Sequence, residues 1–177
     1  MLRAARVFAE RGYDQTTVQD LADALGLAAG GLYHYFGSKE QLLIRICDQL
    51  MDPLLQQTQE LIARGGAPAD QLRELVRLWV AHVVEHRDHM LVFQQERHVI
   101  EHGEQWRGVR KSRKDFERLV EGVLDEVRAE SGGPPVDPRL ALSALLGMVN
   151  HTAQWYRTRG RLSATEVADG YLELLLA

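Results

Sequence analysis

The sequence predicts an all-α protein, and three observations carry that expectation. Apolar residues recur at spacings of three and four along nearly the whole chain, as in Leu72, Leu75, Val76, Trp79, Val80 and Val83. Helix-starting signals stand just before such segments: Ser38 with Gln41, Ser163 with Glu166, and Asp137 followed by Pro138. Nowhere does a period-two alternation of β-branched residues flank a hairpin turn. The chain therefore reads as about nine helices, with an N-terminal three-helix part over residues 1–45 and a larger helical part over residues 46–177.

The elements follow in order. Leu2, Ala5, Phe8 and Ala9 share one face of a first helix, which Gly12 stops. Thr16 or Thr17 caps the second, where Asp20 favours the positive end of the helix and Val18, Leu21, Ala22 and Leu25 face inward. Gly26 turns the chain into a short third helix, Ala28 to Phe36. Ser38 and Gln41 open a long fourth helix that Pro53 can bend and that ends at Arg64–Asp70, the clearest breaker. Helical patterns follow from Asp70 to about His86, from Met90 to Ile100 after a kink at Arg87–His89, and from Gln105 to Glu130. A loop over SGGPPVDP precedes a helix from Pro138 to about Arg157, and a last helix starts at Ser163.

With 45% hydrophobic and 26% charged residues the 177-residue chain can bury a core. No apolar run nears the ~20 residues that span a bilayer. The single cysteine, Cys47, has no internal partner for a disulfide and sits on a helical pattern as a small core hydrophobe, which suits a reducing cytoplasm. Net charge is −4. In residues 1–45 five basic groups balance five acidic ones, so contact with a polyanion would rest on a few placed groups and helix N-termini.

The stretch Thr16–Leu43 has the layout of a helix-turn-helix, with small Ala22 at the crossing, Gly26 in the turn and Leu32 as apolar anchor. Its second helix would then enter a DNA major groove. Candidate contacts are Thr16, Thr17, Ala28, Ala29, Gly31, Tyr33, His34, Tyr35 and Lys39. Tyrosine hydroxyls suit phosphates, His34 a phosphate or base edge, and Lys39 an anion at the next helix N-terminus. Taken one at a time, the tyrosines could equally be packing residues and Lys39 a solvated charge.

With its leading Thr pair, DLA element, Gly30, LYHYF segment and SKE cap, TTVQDLADALGLAAGGLYHYFGSKEQLL resembles the DNA-binding signature of TetR-family transcriptional regulators. The resemblance covers about the first quarter of the chain. It implies a homodimer that places N-terminal readers in successive major grooves of a double-stranded operator, with a variable ligand-binding helical domain behind them. Residues matching Thr17, Tyr33, His34 and Lys39 commonly touch DNA in that family. Two positions depart from it: the family often has Ser or Thr where Ala28 and Gly31 stand.

For the larger part, Trp79, His82, His86, Met90, Phe93, Glu96, Arg97, Trp106, Phe116, Met148, His151 and Trp155 are candidates for a small-molecule effector site. Singly each is explained by packing or surface placement. The tail from Asn150 resembles relatives that respond to acyl-CoA thioesters, and a basic stripe (Arg107, Arg110, Lys111, Lys114, Arg118) could hold CoA phosphates or be a solvated face. Two HxxxH pairs, His82/His86 and His98/His102, have a metal-compatible spacing but no HExxH and no nearby thiolate. No phosphate-cradling glycine loop, nucleophile elbow or spaced cysteine set suggests an enzyme, and no cofactor is expected. Ala141, Ala144, Leu145, Met148, Leu172 and Leu175 are expected at a dimer interface made by the last two long helices. The expected function is a ligand-responsive repressor; the alternative is a helical carrier or metal-sensing module with little specific DNA binding.

Overall fold

The computed structural model describes residues 1–131 and 137–176, apart from the side chains of Ala29, Ser131 and Leu176. Among these residues there are ten α-helices, one 3-10 turn and no strand. The helices are α1 (Leu2–Arg11), α2 (Val18–Leu25), α3 (Ala29–Phe36), α4 (Lys39–Ala63), α5 (Pro68–Glu85), α6 (Arg87–Gln95), α7 (Arg97–Ile100), α8 (Arg107–Ser131), α9 (Pro138–Trp155) and α10 (Ala164–Leu176). The 3-10 turn, Glu104–Trp106, precedes α8.

Two compact units interleave along the chain: Met1–Asp52 with His86–Lys111, and Pro53–Glu85 with Ser112–Ala177. The first is larger than the N-terminal 45 residues because α1 packs on α6 as well as on α2. Three short helices alone bury too little apolar surface to offset the entropy of ordering them. Phe8, Leu21, Leu32, Ile46, Val92 and Trp106 are fully buried in this unit. Cys47 is buried with them, and loss of hydration pushes its thiol pKa far up, leaving no nucleophilic thiolate.

In the second unit α5 packs on α9 and α10, and α9 on α10. Trp79 meets Phe116 edge to face, with ring centroids 4.8 Å apart. Arg77 of α5 grips Asp169 of α10 through two parallel hydrogen bonds of 2.7 Å, Nε to Oδ1 and Nη2 to Oδ2. Pro53 lies inside α4 without ending it. The caps follow the sequence: Asp137 accepts from the amides of Arg139 and Leu140, and Ser163 exchanges bonds with Glu166. The glycine-proline loop before Asp137 lies outside the described residues apart from its ends.

One segment differs from expectation. A single helix from Met90 to Ile100 after a kink at Arg87–His89 is replaced by α6, which already starts at Arg87, and a separate turn of helix, α7. The break is at Glu96, whose backbone leaves the α region (φ −95°, ψ 17°) and whose carboxylate turns inward. A buried charge needs a donor, and Glu96 finds one outside its own helix, at the Tyr13 amide.

Candidate nucleic-acid interface

The α2–turn–α3 stretch is built from local rules. Thr17 caps α2: its Oγ1 accepts the Asp20 amide (3.1 Å) and donates to Asp20 Oδ2 (2.6 Å), which also accepts the Thr17 amide (2.9 Å). The second Asp20 oxygen accepts from Arg11 at 2.6 Å. The Thr17 bonds, helped by Arg11, hold the Asp20 pKa down to about 2. Gly26 ends α2 in the left-handed region (φ 70°, ψ 34°), and the Leu27 amide reaches back to the Ala22 carbonyl at 2.8 Å. Ala22 is fully buried beneath the turn.

On α3, Leu32 points into the core while Tyr33 (56% exposed), His34 and Tyr35 (59% exposed) point out. No hydrogen bond to the rest of the described chain engages the Tyr33 and Tyr35 hydroxyls, and the His34 ring lies edge-on to Tyr35 at 5.2 Å. Three successive exposed side chains with hydrogen-bonding groups thus fan around the outer side of α3. Ala28 is the exposed N-cap of α3 and provides no side-chain bond there. Gly31 is half-buried, and a Cβ there would meet Leu27 at an ordinary 3.5 Å. The side chain of Ala29 lies outside the described ones.

Two candidates are placed differently from expectation. Thr16 is only 1% exposed, and its hydroxyl donates to the Gly12 carbonyl at 2.7 Å, so Thr17 alone of the pair faces outward. Lys39 does not project freely. Its Nζ donates to the Tyr13 and Thr16 carbonyls at 2.9 and 3.0 Å and lies 4.2 Å from the Tyr13 ring centre. Three side chains absent from the DNA-contact expectation thus support the reader: Tyr13, Glu96, and Glu40, which accepts the Trp106 indole N–H at 3.1 Å. Sequence periodicity marks such residues only as apolar or polar; the long-range pairing is what the fold adds.

The twelve effector-site candidates divide between the units. Trp79, His82 and Phe116 are buried in the second, where Met148 is half-buried and His151 and Trp155 are exposed on α9. His86, Met90, Phe93, Glu96, Arg97 and Trp106 belong to the first. There Met90, Phe93 and Trp106 are core, Glu96 and Trp106 are engaged as described, and Arg97 is exposed beside Glu101. In the basic stripe, Arg110 donates to the carbonyls of Ile100 and Gly103, and Arg118 pairs with Asp115. His102 Nδ1 bonds the His98 carbonyl, and no cluster of three His, Cys, Asp or Glu suited to a metal occurs among the described residues.

Of the expected interface residues, Ala141, Leu145 and Leu172 are buried within their own subunit, and Ala144, Met148 and Leu175 are half-buried. The outward apolar side chains are Leu140 (64% exposed), Trp155 and Leu174 (76% exposed). On α9, Leu140 and Trp155 are exposed among Arg139, Ser143, His151 and Gln154, and periodicity alone does not say which apolar residues the helix turns to its own core. No helix among the described residues is long and apolar enough to cross a membrane.

Residues 2–46 match the family described as bacterial regulatory proteins, tetR family, and residues 65–177 match the tetracyclin repressor-like C-terminal domain. The chain belongs to the TetR family. The HTH-type transcriptional repressor KstR2 of Rhodococcus jostii (strain RHA1) is 32% identical over 174 residues, covering 98% of this chain and 85% of that protein. The TetR-family regulator PfmR of Thermus thermophilus superposes with a TM-score of 0.86 at 31% identity, over 99% of this chain and 95% of that one. The regulator AibR, solved with isovaleryl coenzyme A and operator DNA, gives a TM-score of 0.83 at 28% identity, over 97% and 93% of the two chains. This TetR-family chain is thus a non-enzymatic, DNA-binding transcriptional regulator.

Proposed function

We propose that the protein is a cytoplasmic, homodimeric repressor that leaves its operator when a small hydrophobic or acyl-CoA-type effector binds. Residues 1–45 are the DNA-binding part in this reading, and residues 46–177 carry effector binding and dimerisation. The observation that carries it is the exposed Tyr33–His34–Tyr35 segment beside the buried Leu32 anchor, on the second helix of a helix-turn-helix. Tyr33 and Tyr35 would donate to phosphates and His34 to a phosphate or base edge, with Thr17 at the N-terminus of α2 as a further contact. Ala28, Ala29 and Gly31 add no donor, so affinity would rest on phosphate contacts and on the spacing of two readers about 34–36 Å apart. The outward apolar side chains of α9 and α10 supply a surface for the two-fold pairing.

The effector class rests on relatives: AibR was solved with isovaleryl coenzyme A, and a KstR2 structure is described as a ketosteroid regulator. Within the second unit Trp79, His82 and Phe116 are the interior residues for a bound acyl or ring system to meet. Release requires a coupling of only about 1–3 kcal/mol between effector and operator. Gel shift on the promoter of its own gene tests the DNA reading. Wild type should bind, and the Tyr33→Ala, His34→Ala double variant should lose binding while keeping its helicity; equal binding by both would reject this reader. Native mass spectrometry for a dimer and a co-purified ligand, then acyl-CoA titration followed by tryptophan fluorescence, tests the effector class.

A further inference from the structure

The direction of α2, and through it of α3, depends on the short connection from Gly12 to Thr17. That connection has few partners of its own: Thr16 bonds back to Gly12 and Tyr13, within the same turn. From outside, the Tyr13 ring packs against Phe8 with centroids 5.7 Å apart, and a pair of opposite charges holds the connection on either side of Tyr13. The Glu96 carboxylate, 5% exposed, accepts the Tyr13 amide at 2.9 Å. The Lys39 ammonium takes the Tyr13 and Thr16 carbonyls and lies over the Tyr13 ring. Hydrogen bonds with one charged partner are roughly twice as strong as neutral ones, and Lys39 uses two of its three donors here.

We propose that Glu96 is a positioning residue for operator binding, one side of a clamp, completed by Lys39 on the other side of Tyr13, that ties the α1–α2 connection to the α6–α7 junction. The inference rests on the DNA-binding reading above. Glu96 occupies the one residue between α6 and α7, so any rearrangement that straightens this junction withdraws the carboxylate and leaves the Tyr13 amide without its acceptor. The reader then loses its fixed approach angle while its own helices stay folded.

Electrostatics makes the test sharp, because the two roles predict opposite signs. Removing a negative charge by Glu96→Ala should strengthen binding to a polyanion if charge alone matters. The clamp predicts the reverse: about a tenfold loss of operator affinity, largely recovered by Glu96→Gln, which keeps an acceptor. Fluorescence anisotropy with a promoter duplex reads both affinities. Hydrogen exchange of peptides spanning residues 12–20, without DNA, should rise in Glu96→Ala and less in Glu96→Gln, with helicity by circular dichroism retained. If Glu96→Ala does not fold, Glu96→Gln decides by sign: binding stronger than wild type overturns the clamp, and binding at or slightly below wild type supports it. Glu96→Ala affinity equal to or above wild type overturns the proposal. If wild type binds no promoter duplex, the DNA reading fails; unchanged exchange at residues 12–20 would then reject the clamp independently.

Discussion

Leu32 and Tyr33 are adjacent in sequence and opposite in environment, one fully buried and the other more than half exposed. Their substitutions should separate accordingly. Leu32→Ala removes buried methyl groups and leaves a void, for a loss of about 2–5 kcal/mol in urea unfolding. Tyr33→Phe should leave stability unchanged within about 0.5 kcal/mol and weaken operator binding several-fold, because it deletes a hydroxyl and no packing. Asp20 gives a pH signature. Its folded-state pKa of about 2 lies below the ~3.9 of an unfolded aspartate. Its contribution to stability is therefore complete above about pH 4 and is lost as pH falls toward 2. Asp20→Asn should flatten that part of the stability–pH profile, followed by denaturant midpoints between pH 2 and 5. The capping role of Asp20 was legible in the sequence because it depends on residues three apart. That Thr16 turns in while Thr17 turns out was not, since adjacent hydroxyls are distinguished only by the carbonyl that Thr16 finds at Gly12.

At the level of elements, the strongest sequence signals were those with both a cap and a stripe. Helices α1, α2, α9 and α10 lie within two residues of their expected bounds at both ends. For α2 the cap is also testable. Thr17→Ala should cost about 1 kcal/mol and, through fraying of the first turn, reduce operator affinity in parallel. The α6–α7 break was illegible because nothing within the segment causes it: no glycine or proline stands at 96, only a glutamate whose donor lies 83 residues earlier. Long-range polar pairing of this kind has no periodicity to read. The candidate effector residues illustrate the same limit from the other side. Aromatic and histidine side chains on apolar faces mark interior positions correctly for Trp79, His82 and Phe116, but do not say which interior. Sequence alone therefore pools core residues of the first unit, such as Trp106, with those of the second.

For the molecule as a whole, the outward apolar side chains on α9 and α10 carry the consequence. Leu140 and Leu174 are well exposed in one chain, on the two helices assigned above to the two-fold pairing. A Leu140→Glu, Leu174→Glu double variant should sediment as a monomer with unchanged helicity, and its operator binding should fall to the non-specific level, because two half-sites can no longer be engaged together. Dimer formation and operator affinity should also fall together on dilution of the wild-type protein. The near-neutral charge of the reader makes this dependence steeper than for a strongly basic domain, since little affinity remains once the second reader is lost.

The buried Cys47 allows the opening of the first unit to be timed. With its thiol sealed in the core and far from ionised, reaction with a maleimide has to wait for the surrounding helices to part. Labelling rate at a native pH then becomes a clock for that opening, from a single atom and with no competing thiol in the 177-residue sequence. Operator DNA should slow the clock by favouring the closed form.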